Sequence, residues 1–162
     1  MGAQNLLISF LDTPTSPSVN HQQFFNKNNY QKIGINILKI IESSLSGAYV
    51  IELDKRSDKR GFFARSFCVD EFRALGLETN FVQQNMSESN ELHTLRGMHY
   101  QVGQSAEVKY IRCHYGAILD VIVDIRIDSP TFMKHEAFEL SEHNYKALYV
   151  PKGFAHGFLT LT

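Results

Sequence analysis

The chain lacks several features that would point to particular classes of protein. Its 162 residues include no tryptophan, only two cysteines and only four prolines. Because Cys68 and Cys113 are far apart and form no CxxC pair, the sequence excludes a disulfide framework and a zinc knuckle and favours a reducing compartment. No apolar run approaches the ~18 residues of a membrane helix, and the short run at 6–11 lacks the flanks of a signal peptide. We therefore expect a cytoplasmic protein without a membrane partner.

An excess of charge of either sign is also missing. Sixteen Lys and Arg residues stand against 17 Asp and Glu residues, which gives a net charge of −1. Because a nucleic-acid backbone is usually met by a basic surface, nucleic acid is not expected as a partner. With 43% hydrophobic and 20% charged residues, the composition is that of an ordinary globular chain. The length corresponds to one domain.

The composition changes along the chain and divides it in two. Residues 12–32 are rich in Ser, Asn and Gln and hold two of the four prolines, a composition that buries little apolar surface. We predict that residues 1–34 form a polar tail whose composition is typical of disorder. From residue 35 onward, short runs of β-branched and apolar residues begin. We therefore predict a folded domain over residues 35–162.

This domain is predicted to consist mainly of short strands. One short helix is expected over residues 70–77, with Asp70 as its N-cap and Gly76 near its end. Turn residues separate the apolar runs, as in an antiparallel sandwich or barrel. In residues 117–127 the charged side chains Asp120, Asp124 and Arg126 share one parity, which predicts a strand face that looks into a polar cavity. The predicted strands after the helix are 81–85, 94–100, 108–113, 117–127, 135–140 and 147–150.

Polar residues that lie on predicted strands are the candidates for a small-molecule site, because a β-barrel can enclose such a site. Gln83 and Asn85 are two residues apart and so would face the same side. Each candidate taken singly also has an ordinary structural explanation, such as a solvated turn arginine or a hydrogen-bonded core histidine. The candidates are Arg60, Gln83, Asn85, Arg96, His99, Lys109 and His156.

Metal binding is the main alternative role for the histidines. Barrels of this kind often hold a metal with a His-x-His pair, a downstream carboxylate and a further histidine. Here His99 is followed by Tyr100 and Gln101, so that the second histidine is missing, although Glu107 and His156 lie downstream. We predict no metal and no other cofactor, and a metal-dependent barrel remains the alternative.

Six segments occur in an order that resembles the dTDP-4-dehydrorhamnose 3,5-epimerase family, whose members are metal-independent cupins. The similarity extends over about residues 35–162, and the resemblance implies an all-β cupin or jelly-roll sandwich. The segments are 58–63 (DKRGFF), 81–87 (FVQQNMS), 95–101 (LRGMHYQ), 120–126 (DVIVDIR), 129–132 (SPTF) and 151–158 (PKGFAHGF).

The resemblance implies an isomerase that inverts C3 and C5 of dTDP-4-keto-6-deoxyglucose, on the route to dTDP-L-rhamnose. Both carbons are alpha to the C4 ketone, so a base can remove their protons if the enolate is stabilised. By similarity His99 would be the base, and Lys109 would lie near the C4 oxyanion. Arg96, together with Arg60 from a partner subunit, would hold the diphosphate, which implies a homodimer. Gln83, Asn85 and His156 would position the nucleotide and the sugar.

Two departures from the family pattern accompany the resemblance. Arg65 stands where the family usually has a glutamate, which places a cation in or near the nucleotide site. The family's proton-donor tyrosine, and the carboxylate that orients the catalytic histidine, would follow Thr162, so we expect a C-terminally incomplete domain. A truncated relative that binds a nucleotide sugar without turning it over is therefore a second hypothesis. No tyrosine of this chain is assigned as the donor.

Overall fold

The structure, a computed structural model, describes residues 38–162 and is built almost entirely from β-strands. The predicted tail, residues 1–34, lies outside the described residues. One α-helix and a short 3-10 turn at Gly103–Ser105 accompany ten strands in the described part. The elements are β1 (Lys39–Glu42), β2 (Tyr49–Glu52), β3 (Arg56–Asp58), β4 (Gly61–Phe63), α1 (Val69–Ala74), β5 (Leu95–His99), β6 (Lys109–Arg112), β7 (Ala117–Asp124), β8 (His135–Ser141), β9 (Ala147–Val150) and β10 (Phe154–Thr160).

Eight of the strands form two antiparallel four-stranded sheets that pack face to face. The first sheet has the order β1-β2-β9-β6 and the second the order β5-β10-β7-β8. Leu148 and Val150 of the first sheet pack against Ile122 and Phe154 of the second sheet in one buried cluster. This cluster fills the interior of the predicted jelly-roll sandwich.

A second buried cluster covers the outer face of the first sheet. Alternate residues of β9 point to opposite faces, so Tyr149 faces away from the interior toward α1. There the ring of the fully buried Phe72 makes an edge contact with the ring of Tyr149, with 6.0 Å between centroids. The Tyr149 hydroxyl accepts a hydrogen bond from the Glu78 backbone N–H at 3.0 Å. The first sheet is thus covered on both faces.

The structure corrects three of the predicted elements. Residues 81–85 form no strand, because this polar and exposed segment pairs with neither sheet. The helix is shorter than predicted and has Cys68, not Asp70, at its N-cap position. Strand β7 ends at Asp124, so Arg126 lies beyond the strand and folds back onto Asp124 instead of continuing the polar face.

A buried carboxylate fastens the loop that follows β7. Oδ1 of the fully buried Asp124 accepts hydrogen bonds from the backbone N–H and Nε of Arg126, at 3.0 and 2.8 Å. Its Oδ2 accepts from Arg126 Nη2 at 2.7 Å and from Thr131 Oγ1 at 2.6 Å. Arg126 also donates to the Ser46 carbonyl at 2.7 Å, which ties this loop to the turn between β1 and β2.

These donors control the ionisation of Asp124. Burial alone would raise its pKa, but the hydrogen bonds from Arg126, Ser129 and Thr131 hold the pKa of Asp124 well below its usual range. When folding lowers the pKa of a carboxyl group, the ionised group stabilises the fold at every pH above its pKa in the unfolded state. This stabilisation is lost progressively as the pH falls from that value toward the lower pKa of the folded state. The network therefore makes the fold sensitive to acid.

We predict that Asp124→Asn lowers the free energy of unfolding by about 2–3 kcal/mol at pH 7, because charge-assisted hydrogen bonds are lost. The difference in Tm between wild type and variant should narrow as the pH falls below about 4, where wild-type Asp124 loses its advantage. Thermal melts between pH 3 and pH 7 measure this. The exposed Asp128→Asn is the control and should show no such narrowing. A constant difference for Asp124→Asn would contradict the prediction.

Candidate functional site

Strands β5 and β10 bring three candidate residues to one face of the second sheet. His156 lies directly opposite His99, and Phe158 lies directly opposite Arg96. One residue of β10, Gly157, therefore faces two residues of β5, which is a β-bulge. Residues three apart in a regular strand point to opposite faces, but the extra residue puts Arg96 and His99 on the same face. This face also carries Ile122, the register partner of His156, so it looks into the interior.

Glycine is required where β5 and β10 approach each other closely at the bulge. A Cβ on Gly97 would lie 2.6 Å from the Gly157 Cα and 2.8 Å from the His156 carbonyl oxygen. Gly97 also has a φ of +117°, which L side chains rarely adopt. A Cβ on Gly157 would lie 2.8 Å from the Arg96 carbonyl oxygen. The register of Arg96 and His99 thus depends on two glycines.

Lys109 reaches the same interior from the opposite sheet. It is the register partner of Val150 in β9, so the two side chains share a face. Val150 packs in the interior cluster with Phe154 of β10, the strand that carries His156, and with Ile122 of the adjacent strand β7. Lys109 forms an ion pair with Glu107, and its side chain is mostly buried. The ammonium group is therefore held on the interior side of β6.

His156 is paired with a buried carboxylate that the sequence placed on the polar face of β7. Nε2 of His156 lies 2.8 Å from Oδ2 of Asp120, whose side chain is fully buried. Burial raises the pKa of Asp120, while the hydrogen bond and charge of His156 act against this rise. Oδ1 of Asp120 is buried and accepts no hydrogen bond from the described residues. Asp120 thus fixes the imidazole, and the alternation of residues 120 to 126 was the signal for it.

The two histidines of this face differ in their hydrogen bonding. Among residues 38–162, the side chain of His99 has no hydrogen-bond partner, whereas that of His156 is held by Asp120. Arg96 is oriented by the segment before β5, since its Nε donates to Ser89 Oγ at 3.1 Å and its Nη2 to the Glu88 carbonyl at 2.9 Å. These two bonds hold the guanidinium against the segment that precedes β5.

The remaining candidates lie outside this interior group. Gln83 donates to Asn85 at 3.0 Å, and both belong to the exposed segment before β5 rather than to a strand. Arg60 lies in the turn between β3 and β4, with its side chain 82% exposed and paired to Asp58. The structure therefore places Arg96, His99, Lys109 and His156 on the facing sides of the two sheets and leaves Arg60 on a separate hairpin. Arg96 and His99 lie on β5, which is exposed along its whole length.

Arg65 is engaged by the helix. Its Nη1 forms an ion pair with Oε1 of Glu71, and Oε2 of Glu71 accepts a hydrogen bond from the Leu38 backbone N–H at 2.7 Å. The positive charge of Arg65 is therefore neutralised by the carboxylate of Glu71.

Two negative findings concern the described part of the chain. Residues 38–162 contain no group of three or more His, Cys, Asp or Glu side chains arranged to hold a metal ion. No helix in the same range is long and apolar enough to cross a membrane.

The fold is a jelly-roll sandwich, and its facing sheets carry two imidazoles, an ammonium and a guanidinium. This combination is typical of cupin-like proteins that bind small molecules. Comparison with known proteins specifies the family. The family model for dTDP-4-dehydrorhamnose 3,5-epimerase matches residues 42–162. The chain belongs to this family of isomerases.

Individual relatives agree with this assignment. The dTDP-4-dehydrorhamnose 3,5-epimerase of Salmonella typhimurium is 41% identical over 124 residues, which cover 76% of this chain and 67% of the relative. The Escherichia coli enzyme is 42% identical over 126 residues, covering 77% of this chain and 68% of the relative. The chain thus aligns with about two thirds of the length of these relatives.

Solved structures show the same likeness. The dTDP-4-dehydrorhamnose 3,5-epimerase of Bacillus anthracis, with TDP and PPi bound, has a TM-score of 0.74 and 45% identity, covering 78% of this chain and 72% of that one. The Legionella pneumophila epimerase, in complex with dTDP-4-keto-L-rhamnose, has a TM-score of 0.71 and 39% identity, with coverages of 78% and 66%. The cupin-like fold predicted from the sequence is confirmed.

The close approach of β5 and β10 leads to a prediction about stability. Gly97→Ala should destabilise the fold by about 1–3 kcal/mol more than Gly61→Ala, because only the former inserts a methyl group against backbone. Gly61 is the matched control, since its φ of +130° is similar and a Cβ there meets nothing within 4 Å. Urea denaturation of both variants measures the difference. Equal losses would show that the strand contact does not require glycine.

Proposed function

We propose that this protein inverts C3 and C5 of dTDP-4-keto-6-deoxyglucose by removing protons alpha to the C4 ketone. The observation that carries the proposal is the bulge in β5, which sets Arg96 and His99 on one interior face opposite His156. The family assignment and the relatives solved with TDP or dTDP-4-keto-L-rhamnose support this substrate class.

In the proposed mechanism, His99 is the base. A ring nitrogen of an imidazole that carries a lone pair can accept a carbon-bound proton. Removing that proton moves negative charge onto the C4 oxygen, where the Lys109 ammonium stabilises the enolate. Return of a proton to the other face of the carbon inverts the centre. The proton donor is not assigned to any described residue.

The remaining polar candidates bind the other parts of the substrate. Arg96 supplies a planar guanidinium that matches the oxygens of a diphosphate. His156, fixed by Asp120 at 2.8 Å, is oriented toward the sugar. Gln83 and Asn85, on the exposed segment before β5, contribute amide groups for the nucleotide.

We further propose a cytoplasmic homodimer in which Arg60 binds the diphosphate in the partner's site. The exposed position of Arg60, on a hairpin outside its own interior group, supports this arrangement. Phe62 and Phe63, which follow the turn, are 42% and 73% exposed, so the hairpin also presents apolar surface for a second subunit.

The base assignment predicts the behaviour of His99→Ala. With the 4-keto sugar nucleotide in D₂O, wild type should introduce deuterium at C3 and C5, and the variant should do so about 10²–10⁴-fold more slowly. Mass spectrometry of the recovered sugar measures the exchange without requiring complete turnover. His114→Ala, at an exposed histidine, is the control and should exchange at the wild-type rate.

The same assay separates the proposal from the alternatives. Exchange that is unaffected by His99→Ala would contradict the role of His99 as base. Binding of the nucleotide sugar without any exchange would favour a non-catalytic relative. Exchange that is abolished by a chelator and restored by a transition metal would favour a metal-dependent cupin.

The shared site predicts complementation between two inactive variants. Co-expressed Arg60→Ala and His99→Ala subunits should regain about a quarter of the wild-type exchange rate, because each mixed symmetric dimer contains one intact site. Each variant alone should show little exchange. A mixture no more active than its components would contradict the transfer of Arg60 between subunits.

A further inference from the structure

The hairpin that carries Arg60 is exposed along both of its strands. Strands β3 and β4 form a two-stranded sheet of their own, and all six of their residues are exposed. An isolated two-stranded hairpin is only marginally stable in water. Its conformation must therefore be set by whatever side chains attach it to the sandwich.

An aromatic contact joins the hairpin to a residue far away in the sequence. The Phe62 ring of β4 meets the ring of Tyr145 in an edge geometry, with 4.9 Å between centroids and 75° between planes. The Lys55 ammonium lies over both rings, 4.4 Å from the Tyr145 centroid and 5.3 Å from the Phe62 centroid. Both distances lie within the range of cation–π attraction. The three side chains form what we call the hairpin clamp.

The backbone at Tyr145 is held in a conformation that presents its ring to the hairpin. Its φ of +56° lies in the left-handed region, which is uncommon for residues other than glycine. Surrounding hydrogen bonds enforce this turn. Asn144 Oδ1 accepts from the backbone N–H groups of Ser141 and Lys146, and Arg112 donates to the Tyr145 carbonyl at 3.3 Å.

We propose that Tyr145 is a positioning residue for Arg60: by clamping Phe62, it orders the hairpin so that Arg60 meets the diphosphate of the nucleotide. This inference rests on the proposed function, in which Arg60 binds that diphosphate. Within the turn itself, Asp58 accepts hydrogen bonds from the Arg60 backbone N–H and side chain, at 2.8 Å for the backbone bond. The turn thus fixes Arg60 relative to the hairpin, and the clamp fixes the hairpin relative to the sandwich.

The test is binding of dTDP to the full chain by calorimetry, which requires no turnover. Tyr145→Leu should weaken binding by up to about tenfold, the effect expected from losing one aromatic pair. Tyr145→Phe keeps the ring and should bind as wild type does. Tyr115→Leu is the matched control, since Tyr115 is a turn tyrosine that is 89% exposed and should leave binding unchanged.

A double variant tests whether Tyr145 acts through Arg60. In an Arg60→Ala background, Tyr145→Leu should weaken dTDP binding no further, because the group that it positions is gone. Additive losses would overturn the inference. Failure of wild type to bind dTDP would overturn the proposed function, whereas weakening by Arg60→Ala but not by Tyr145→Leu would overturn this inference alone.

Hydrogen exchange provides a readout that does not depend on the ligand. In Tyr145→Leu, amides of residues 56–63 should exchange faster than in wild type, while those of β7 and β10 remain protected. Unchanged exchange in the hairpin would show that the clamp does not order it. Faster exchange throughout the chain would indicate general destabilisation and would also overturn the positioning role.

Discussion

The contact between Gly97 and Gly157 is the constraint on which the interior site depends. A methyl group at either position would meet backbone atoms at less than 3 Å. Because the strands come this close, β5 can accommodate a bulge opposite a single residue of β10, and the bulge brings Arg96 onto the face of His99. The backbone thus determines that the guanidinium and the imidazole lie on the same face.

Strand β7 shows how two buried carboxylates on one face acquire different roles. Asp124 receives donors from Arg126 and Thr131 and has a lowered pKa, so it serves as an anchor for the loop after the strand. Asp120 has a single imidazole partner and a raised pKa. The anion of Asp124 is therefore stabilised at the end of the strand, while burial disfavours the anion of Asp120 in the middle of the strand. The number of donors that reach each buried carboxylate decides which situation arises.

The sequence predicted the strand-rich class and most strands because their apolar runs alternate and end at turn residues. The family motifs selected the candidate residues on β5, β6 and β10. Strand parity alone would put Arg96 and His99 on opposite faces, and the bulge that puts them on one face was not predicted. The prediction of a strand over residues 81–85 was wrong. The run FVQ is typical of the start of a strand, but a strand also requires a pairing partner, which the local sequence does not specify. The Asp120–His156 pair and the clamp around Tyr145 join residues far apart in the chain, and only the tertiary register brings such residues together.

Strand β9 has all four residues buried, with Leu148 and Val150 in the interior and Ala147 and Tyr149 under the helix. Any substitution in this strand therefore changes a packed contact on one face of the sheet or the other. The wall beside Lys109 and the outer layer around Phe72 are made by alternating residues of the same four-residue strand. During divergence of the family, a change in the packing of the interior on this side would require compensating changes in the helix layer behind it. The two layers are therefore expected to evolve as one unit.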